Sequence, residues 1–444
     1  MITQTRARIA LAAAFFIYVL LIRTYDLANS FLMIGEQIRD WTIALGAWHE
    51  LPLTGAPSTA GGRGFGPAYY WLLWLGRVIV GPFTQNFPHA GGIWVATLQS
   101  VADTWLLIVL ARRVPMALAL AVCLLIASAP FDISISGVIW NPPVAAALVK
   151  MATALALSLG TTPSLWRGLA TTTVAWLGVQ AHLSAVFVAG PIVAMVVAQP
   201  LLHRQWRRAG TMAAVVAAGL LVLHVPYFVS RLQEPDAAAG PSAALTAMAR
   251  PDAFAPWASY RAVVNIAGGL LARPFEGDFA VPVLVVSLVV VVAWRRDLAV
   301  LAVTAGPIAA ATLLFSTWTR TYDSYWFLTA TTAVALSLGM AVAALPSAKA
   351  VQWIGLALLG AVLVWQPARV SAAPAFFGYP QYRAMRLGSV ALAQQADVLR
   401  DIRITFDAHP TMDKYFIFKI LGGRIDPAAP RTGFIEADGR VRIE

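Results

Sequence analysis

Apolar runs of about membrane length recur from the N-terminus to residue 366, separated by short polar or basic turns. Each run suits a helix across a ~30 Å hydrocarbon layer, which takes ~20 residues. Open strands cannot satisfy their backbone in lipid, so the pattern predicts an all-α polytopic membrane protein. Spans are expected near 7–23, 93–111, 114–130, 143–160, 168–182, 184–202, 210–229, 279–294, 298–315, 325–345 and 351–366, eleven in all. The first follows Arg6 and Arg8 as a signal peptide would, but no small-x-small cleavage site comes after "LLIRTYD", so it is read as an uncleaved span.

The run "PAYYWLLWLGRVIVGPF" (67–83) decides the topology. It is short, holds Arg77, and has prolines near both ends, so it reads as a juxtamembrane helix on the outer face. With it outside and the N-terminus cytoplasmic, the inner loops carry Arg112, Arg113, Arg167, Arg204, Arg207, Arg208, Arg295, Arg296 and Lys349. If it crossed, this basic set would move outside, against the positive-inside bias. Residues 1–366 then form a transmembrane domain with large outer loops at 24–92 and 230–278. Residues 367–444 form a small outer-face α/β segment, with a helix over 380–399, a strand over 402–406 and a hairpin turn at Asp438-Gly439. No internal repeat is visible, which disfavours repeat-built transporter folds.

Charge and composition change this picture little. A net charge of +11 would suit nucleic acid, but the cations lie in short loops between spans, and no nucleic-acid partner is expected. One cysteine, Cys123, rules out an intramolecular disulfide. Two charges fall inside spans, Asp103 and Lys150. Each costs on the order of 2.5–3.5 kcal/mol at a span centre, so both should face the bundle interior, where they can pair. An ion path would use such residues too.

Candidate chemistry begins in "GEQIRDW" (35–41). At helical spacing Ile38, Trp41, Leu45 and Trp48 share one side, and Glu36, Arg39 and Asp40 the other. Pattern alone allows a merely solvated face with an Arg39 ion pair. The loop that follows, "LPLTGAPSTAGGRGFGPAYYWLL" (51–73), is rich in Gly and Pro and ends in Tyr69, Tyr70 and Trp71, which suits a polar ligand held at the interface.

The succession "GEQIRDW", "LPLTGAP", "GFGPAYYWLL", "GVIWNPP" and "GVQAHLSAVF" resembles the bacterial family-39-like membrane glycosyltransferases of the GT-C superfamily, related to protein O-mannosyltransferases and lipid A aminoarabinose transferases. The resemblance covers about residues 1–345. It implies a GT-C-like bundle in the bacterial inner membrane and inverting transfer of a sugar from a polyprenyl-phosphate carrier to a glycan, lipid or protein acceptor on the outer side. It also implies an acidic base in the first outer loop. Glu36 stands where an Asp is usual, so Glu36 and Asp40 are both candidate bases.

The chemistry fits independently. A sugar linked through phosphate carries a good leaving group, so one carboxylate suffices to take the acceptor's proton, whereas glycoside hydrolysis normally wants two. Arginine can stabilise the phosphate. Arg320, in "TWTRTYDSYWF" beside Trp318, Tyr322, Tyr325 and Trp326, is the first candidate, though an interfacial anchor has the same appearance; Arg63 is the second. Arg39, Tyr69 and Tyr70 are further candidate substrate contacts. Asn141 can cap a helix before Pro142 or face substrate; Asp132 is a possible second acid and His182 a polar contact at an outer turn. The amphipathic segment 257–271 covers the bundle or walls a lipid groove. Neither metal-ligand spacing nor a D-x-D pair is present, so no metal cofactor is expected. The competing functions are a transporter or flippase for a lipid-linked saccharide, and a non-catalytic subunit of envelope polysaccharide assembly.

Overall fold

The computed structural model describes residues 2–57, 62–160, 163–233, 250–318, 322–373, 381–395, 403–406, 416–426 and 428–444. The first apolar run is α1 (Ile2–Thr24), followed by the short α2 (Leu27–Ser30) and then by α3 (Gly35–Leu45) and α4 (Ala68–Ile79). The bundle continues through α5 (His89–Leu110), α6 (Met116–Ala127), α7 (Pro130–Ser136), α8 (Asn141–Ser158), α9 (Leu165–Ala181), α10 (Val186–Leu202) and α11 (Trp206–Gln233). It closes with α12 (Pro256–Ala272), α13 (Ala280–Trp294), α14 (Leu298–Val303), α15 (Ala305–Phe315), α16 (Leu328–Ala343) and α17 (Ala348–Ala372).

Side chains end several of these helices cleanly. The Ser164 hydroxyl accepts from the Arg167 amide, Asp297 from the amides of Ala299 and Val300, and Ser347 from that of Ala350. Large apolar side chains on α11, α13 and α17 remain exposed, among them Val222, Val292 and Val364, as lipid-facing surfaces require.

The chain is a multi-pass helical membrane protein, but the span count differs from expectation. Among the described residues six helices are long and apolar enough to cross, or seven if α6 and α7, bent by 60°, form one broken span. The expected eleven is not reached because several helices are short or interrupted. α9 and α13 have 17 and 15 residues, and Thr304 separates α14 from α15. In α8, the 18 residues include Asn141, Pro142, Pro143 and Lys150. α4, at 12 residues, rises only ~18 Å and cannot cross.

The α6–α7 break follows from Pro130, which holds Ala129 extended and opens α7. Its freed carbonyls are taken by Arg369, which is fully buried: Nε donates to Ser128 O at 3.0 Å and Nη2 to Leu125 O at 2.7 Å, while Nη1 reaches Leu271 O at the end of α12 at 2.7 Å. The in-span charges Asp103 and Lys150 meet at 3.0 Å, and two more residues join them. Arg23 Nη2 lies 2.6 Å from both Asp103 and Asp132, and Lys150 Nζ lies 3.2 Å from Asp132 and 2.8 Å from Gln99 Oε1. Two cations and two carboxylates thus close a buried network joining α1, α5, α7 and α8.

Segment 257–271 lies within α12, which packs against α15 and α16 and buries Val263, Val264 and Ala267, while Trp257 stays exposed. The tail has α18 (Gln381–Ala393), β1 (Arg403–Phe406), α19 (Phe416–Ile420), β2 (Thr432–Ile435) and β3 (Val441–Ile443). β1 pairs in parallel with β2, and β2 with β3 as a hairpin turned at Gly439, whose φ of +88° suits glycine. α18 docks on the first loop: Tyr382 lies edge-on to Phe31 and hydrogen-bonds His89 Nδ1, and Arg386 donates to Ala28 O and Asn29 Oδ1.

Candidate active site

The amphipathic pattern of "GEQIRDW" becomes α3. Its apolar side is anchored by buried Ile38 and Trp41, the latter donating through Nε1 to Asn86 O at 2.7 Å. This leaves Glu36 exposed and Arg39 half-buried on the opposite side. Asp40 is not on a wet face: α4 packs over it and its side chain is 1 % exposed. Tyr69 donates to Oδ2 at 2.9 Å, Tyr70 to Oδ1 at 3.1 Å, and Arg39 Nε to Oδ1 at 2.8 Å. Burial and the adjacent Asp40 charge push both tyrosine hydroxyls well above their ordinary range, so they stay protonated donors. Burial works against the Arg39 cation, but its bond to Asp40 and the Asp40 charge raise it on balance.

Glu36 and Arg39 line a cavity of about 470 Å³. Its walls come from the glycine-rich loop (Ala56, Pro57, Gly64, Phe65), the start of α8 (Trp140, Asn141), the end of α9 and the turn to α10 (Val179 to Ser184), the end of α15 (Leu314, Phe315) with Trp318, and the turn before α16 (Tyr325, Trp326). Glu36 is the one carboxylate among these lining residues. Leu314 is both lining and exposed, so the cavity wall runs on into the apolar outer surface.

The loop holds its shape by close approach. Gly55 N donates to Gly64 O and Gly64 N to Ala56 O, at 3.0 and 3.1 Å. A Cβ on Gly66 would lie 2.4 Å from Gln180 Cδ, and Gln180 is itself tied through Nε2 to Leu223 O at 2.6 Å. Trp140 and Tyr325 pack with ring centroids 4.7 Å apart. His182 stands edge-on to Tyr325; its Nδ1 lies 2.7 Å from Ser184 Oγ and accepts the Ser184 amide. The proton is therefore on Nε2, and burial pushes the imidazole down to about 4. Asn141 does not cap α8; Trp140 holds that position, and Asn141 Nδ2 donates to Ala181 O at 3.1 Å.

The cavity thus brings together Glu36, Arg39, Asn141, His182 and Tyr325. Asp40, Tyr69 and Tyr70 stand behind Arg39. Asp132 is elsewhere, in the buried charge network. Tyr322 packs against Phe315 and Phe327, Arg63 pairs through its backbone with Pro57, and neither lines the cavity. Arg320 lies outside the described residues. Gln180 and Ser184 were not expected as lining, although both flank His182 in the same stretch. Among the described residues no group of three or more His, Cys, Asp and Glu side chains is gathered as a metal-ligand set.

No protein-family model matches the chain, and comparison with curated proteins finds no match. Solved structures do. ArnT from Cupriavidus metallidurans bound to undecaprenyl phosphate is similar with a TM-score of 0.61 at 14% identity, over 93% of this chain and 84% of that one. The same protein in the apo state gives 0.57 at 14% identity, over 94% and 85%. At this identity the likeness is one of fold alone, shared with the ArnT structures over more than nine-tenths of this chain.

Proposed function

We propose that the cavity is the transfer site of an inverting glycosyltransferase that moves a sugar from a polyprenyl-phosphate carrier to an acceptor hydroxyl on the outer face of the membrane. The observation that carries this reading is the pairing, on one cavity wall, of Glu36, a carboxylate with no hydrogen-bond partner among the described residues, and Arg39, an arginine clamped in place by Asp40. Glu36 takes the acceptor proton as the hydroxyl oxygen attacks the anomeric carbon. The bond from that carbon to the phosphate oxygen breaks, and polyprenyl phosphate departs with the electron pair. Arg39 neutralises the charge growing on the phosphate, and Asp40, Tyr69 and Tyr70 hold it there, so little reorganisation is needed during the reaction. Arg320, next but one to the lining Trp318, is the second proposed phosphate contact.

The mixed wall suits such a donor: Asn141, Gln180 and His182 offer polar contacts to a sugar, while Leu314, Phe315 and Trp318 offer an apolar path for a lipid tail. Undecaprenyl phosphate, the ligand of the similar ArnT structure, belongs to this chemical class. Charge stabilisation by arginine suits this lining, in which Glu36 is the one carboxylate and His182 Nδ1 is engaged. Asp103 and Lys150, which a transporter could use as an ion path, are tied to Arg23 and Asp132 instead, and this favours transfer over flipping.

Mass spectrometry of lipid-linked sugars and envelope glycans, with and without the protein, tests the proposal. Loss of the protein should let one polyprenyl-phosphate sugar accumulate while one glycan modification disappears. Unchanged profiles of both pools would refute it.

A further inference from the structure

The end of the bundle opposite the cavity carries a charge that no acid among the described residues balances. Arg113 bridges the α5–α6 turn to Leu157 O at the end of α8 and to Asp297 at the start of α14, at 2.8 and 2.7 Å. Arg208, on α11, donates to Pro163 O before α9, and Trp294 at the end of α13 donates to Met340 O near the end of α16. These contacts gather the turns into one rim. Arg112, Arg204, Arg207, Arg295, Arg296 and Lys349 lie exposed on it, and among the described residues none has an acidic partner. Beside them Trp166, Trp206 and Trp353 are 79%, 69% and 70% exposed.

We infer that this rim is a binding surface for the headgroups of anionic phospholipids in the bilayer that surrounds the protein. Exposed indoles on membrane helices sit at the headgroup level, so the neighbouring guanidinium groups are at the depth of lipid phosphates. A zwitterionic headgroup offers no net charge to this cluster, whereas an anionic one does. The arginines also form charge-assisted, forked hydrogen bonds to phosphate. Arg204 and Arg207, with Trp206 between them, form one half of the surface; Arg295 and Arg296 form the other. The inference is independent of the transfer reaction, because the rim shares no residue with the cavity.

The test uses the full-length protein in nanodiscs of phosphatidylcholine, with and without phosphatidylglycerol, and native mass spectrometry of the retained lipid. The wild type should be enriched in phosphatidylglycerol over its share of the disc, and the enrichment should fall as salt rises. Each exposed arginine near an anionic surface is worth roughly a fivefold preference. Arg204→Gln with Arg207→Gln, and separately Arg295→Gln with Arg296→Gln, should each cut the enrichment about tenfold or more. All four side chains are exposed and make no hydrogen bond or ion pair among the described residues, and each pair serves as the check on the other if one expresses poorly. Trp206→Ala should weaken retention of both lipids alike. Equal retention of the two lipids by the wild type, enrichment untouched by both pairs, or loss of enrichment on adding inorganic phosphate at constant ionic strength would each overturn the inference.

Discussion

Replacing Asp103 by Asn tests how the buried charges hold the bundle together. In the wild type Arg23 and Lys150 are matched by Asp103 and Asp132, with Arg23 at 2.6 Å and Lys150 at 3.0 Å from Asp103. Asp103→Asn keeps the shape and removes one negative charge. Asp132 alone must then serve two buried cations, with Arg369 also fully buried close by. Breaking a buried pair by neutralising one partner costs ~3–5 kcal/mol, because a charge is left without compensation. At about 2 °C per kcal/mol for a large chain, that is a fall in apparent Tm of ~6–10 °C. The assay is thermal unfolding of detergent-solubilised protein at a fixed scan rate, followed by size-exclusion fluorescence, since membrane bundles rarely refold. Adding Lys150→Met restores the balance of one cation to one carboxylate around Arg23, so the double variant should be more stable than the sum of the two singles, by ~0.5–3 kcal/mol. An Asp103→Asn protein that melts within about 1 °C of wild type, or a strictly additive double variant, would refute the reasoning.

Three further outcomes are expected. Asp40→Asn should leave Arg39 less well placed and weaken binding of polyprenyl phosphate about tenfold, read by competition with a labelled carrier, since one charge-assisted bond of ~1.5–3 kcal/mol is lost; unchanged affinity would mean that Asp40 does not position Arg39. Gly66→Ala should force the loop away from Gln180 and impair transfer more than it lowers Tm; normal turnover would show that the loop does not wall the site. Burial lowers the His182 imidazole to about 4 from an ordinary 6.5, so the folded state binds fewer protons than the unfolded one between those values. Its stabilisation is complete above pH 6.5 and is lost as pH falls towards 4, by about 2 kcal/mol between pH 6.5 and 5. His182→Gln should remove that part of the pH dependence of Tm, and an unaltered slope would contradict it.

The apolar runs foretell the bundle because burying or lipid-facing a helix demands them residue by residue. Asp103 and Lys150 are legible as an interior pair for the same reason: hydrocarbon tolerates neither alone. Their partners are not legible, because Arg23 ends α1 and Asp132 opens α7, 80 and 29 residues away from Asp103 in the chain and joined only by packing. The helical period places Glu36, Arg39 and Asp40 on one side of α3, yet it cannot say that α4 covers Asp40 and leaves Glu36 open. That depends on Tyr69 and Tyr70 arriving across a glycine-rich loop whose path the period does not encode. The expected number of spans is not confirmed, because hydropathy stays high where a helix is short or where Thr304 interrupts it.

Formation of the new glycosidic bond by Glu36→Gln protein, reconstituted with the donor that accumulates in its absence, is the most direct measurement of the proposed chemistry. Removing a general base costs typically 10²–10⁴-fold in rate. Glu36→Gln should lose at least a hundredfold in turnover while retaining wild-type carrier binding and thermal stability. Turnover within a few-fold of wild type would contradict the assignment of Glu36 as the base and, with it, the reading of this cavity as the place where the sugar is transferred.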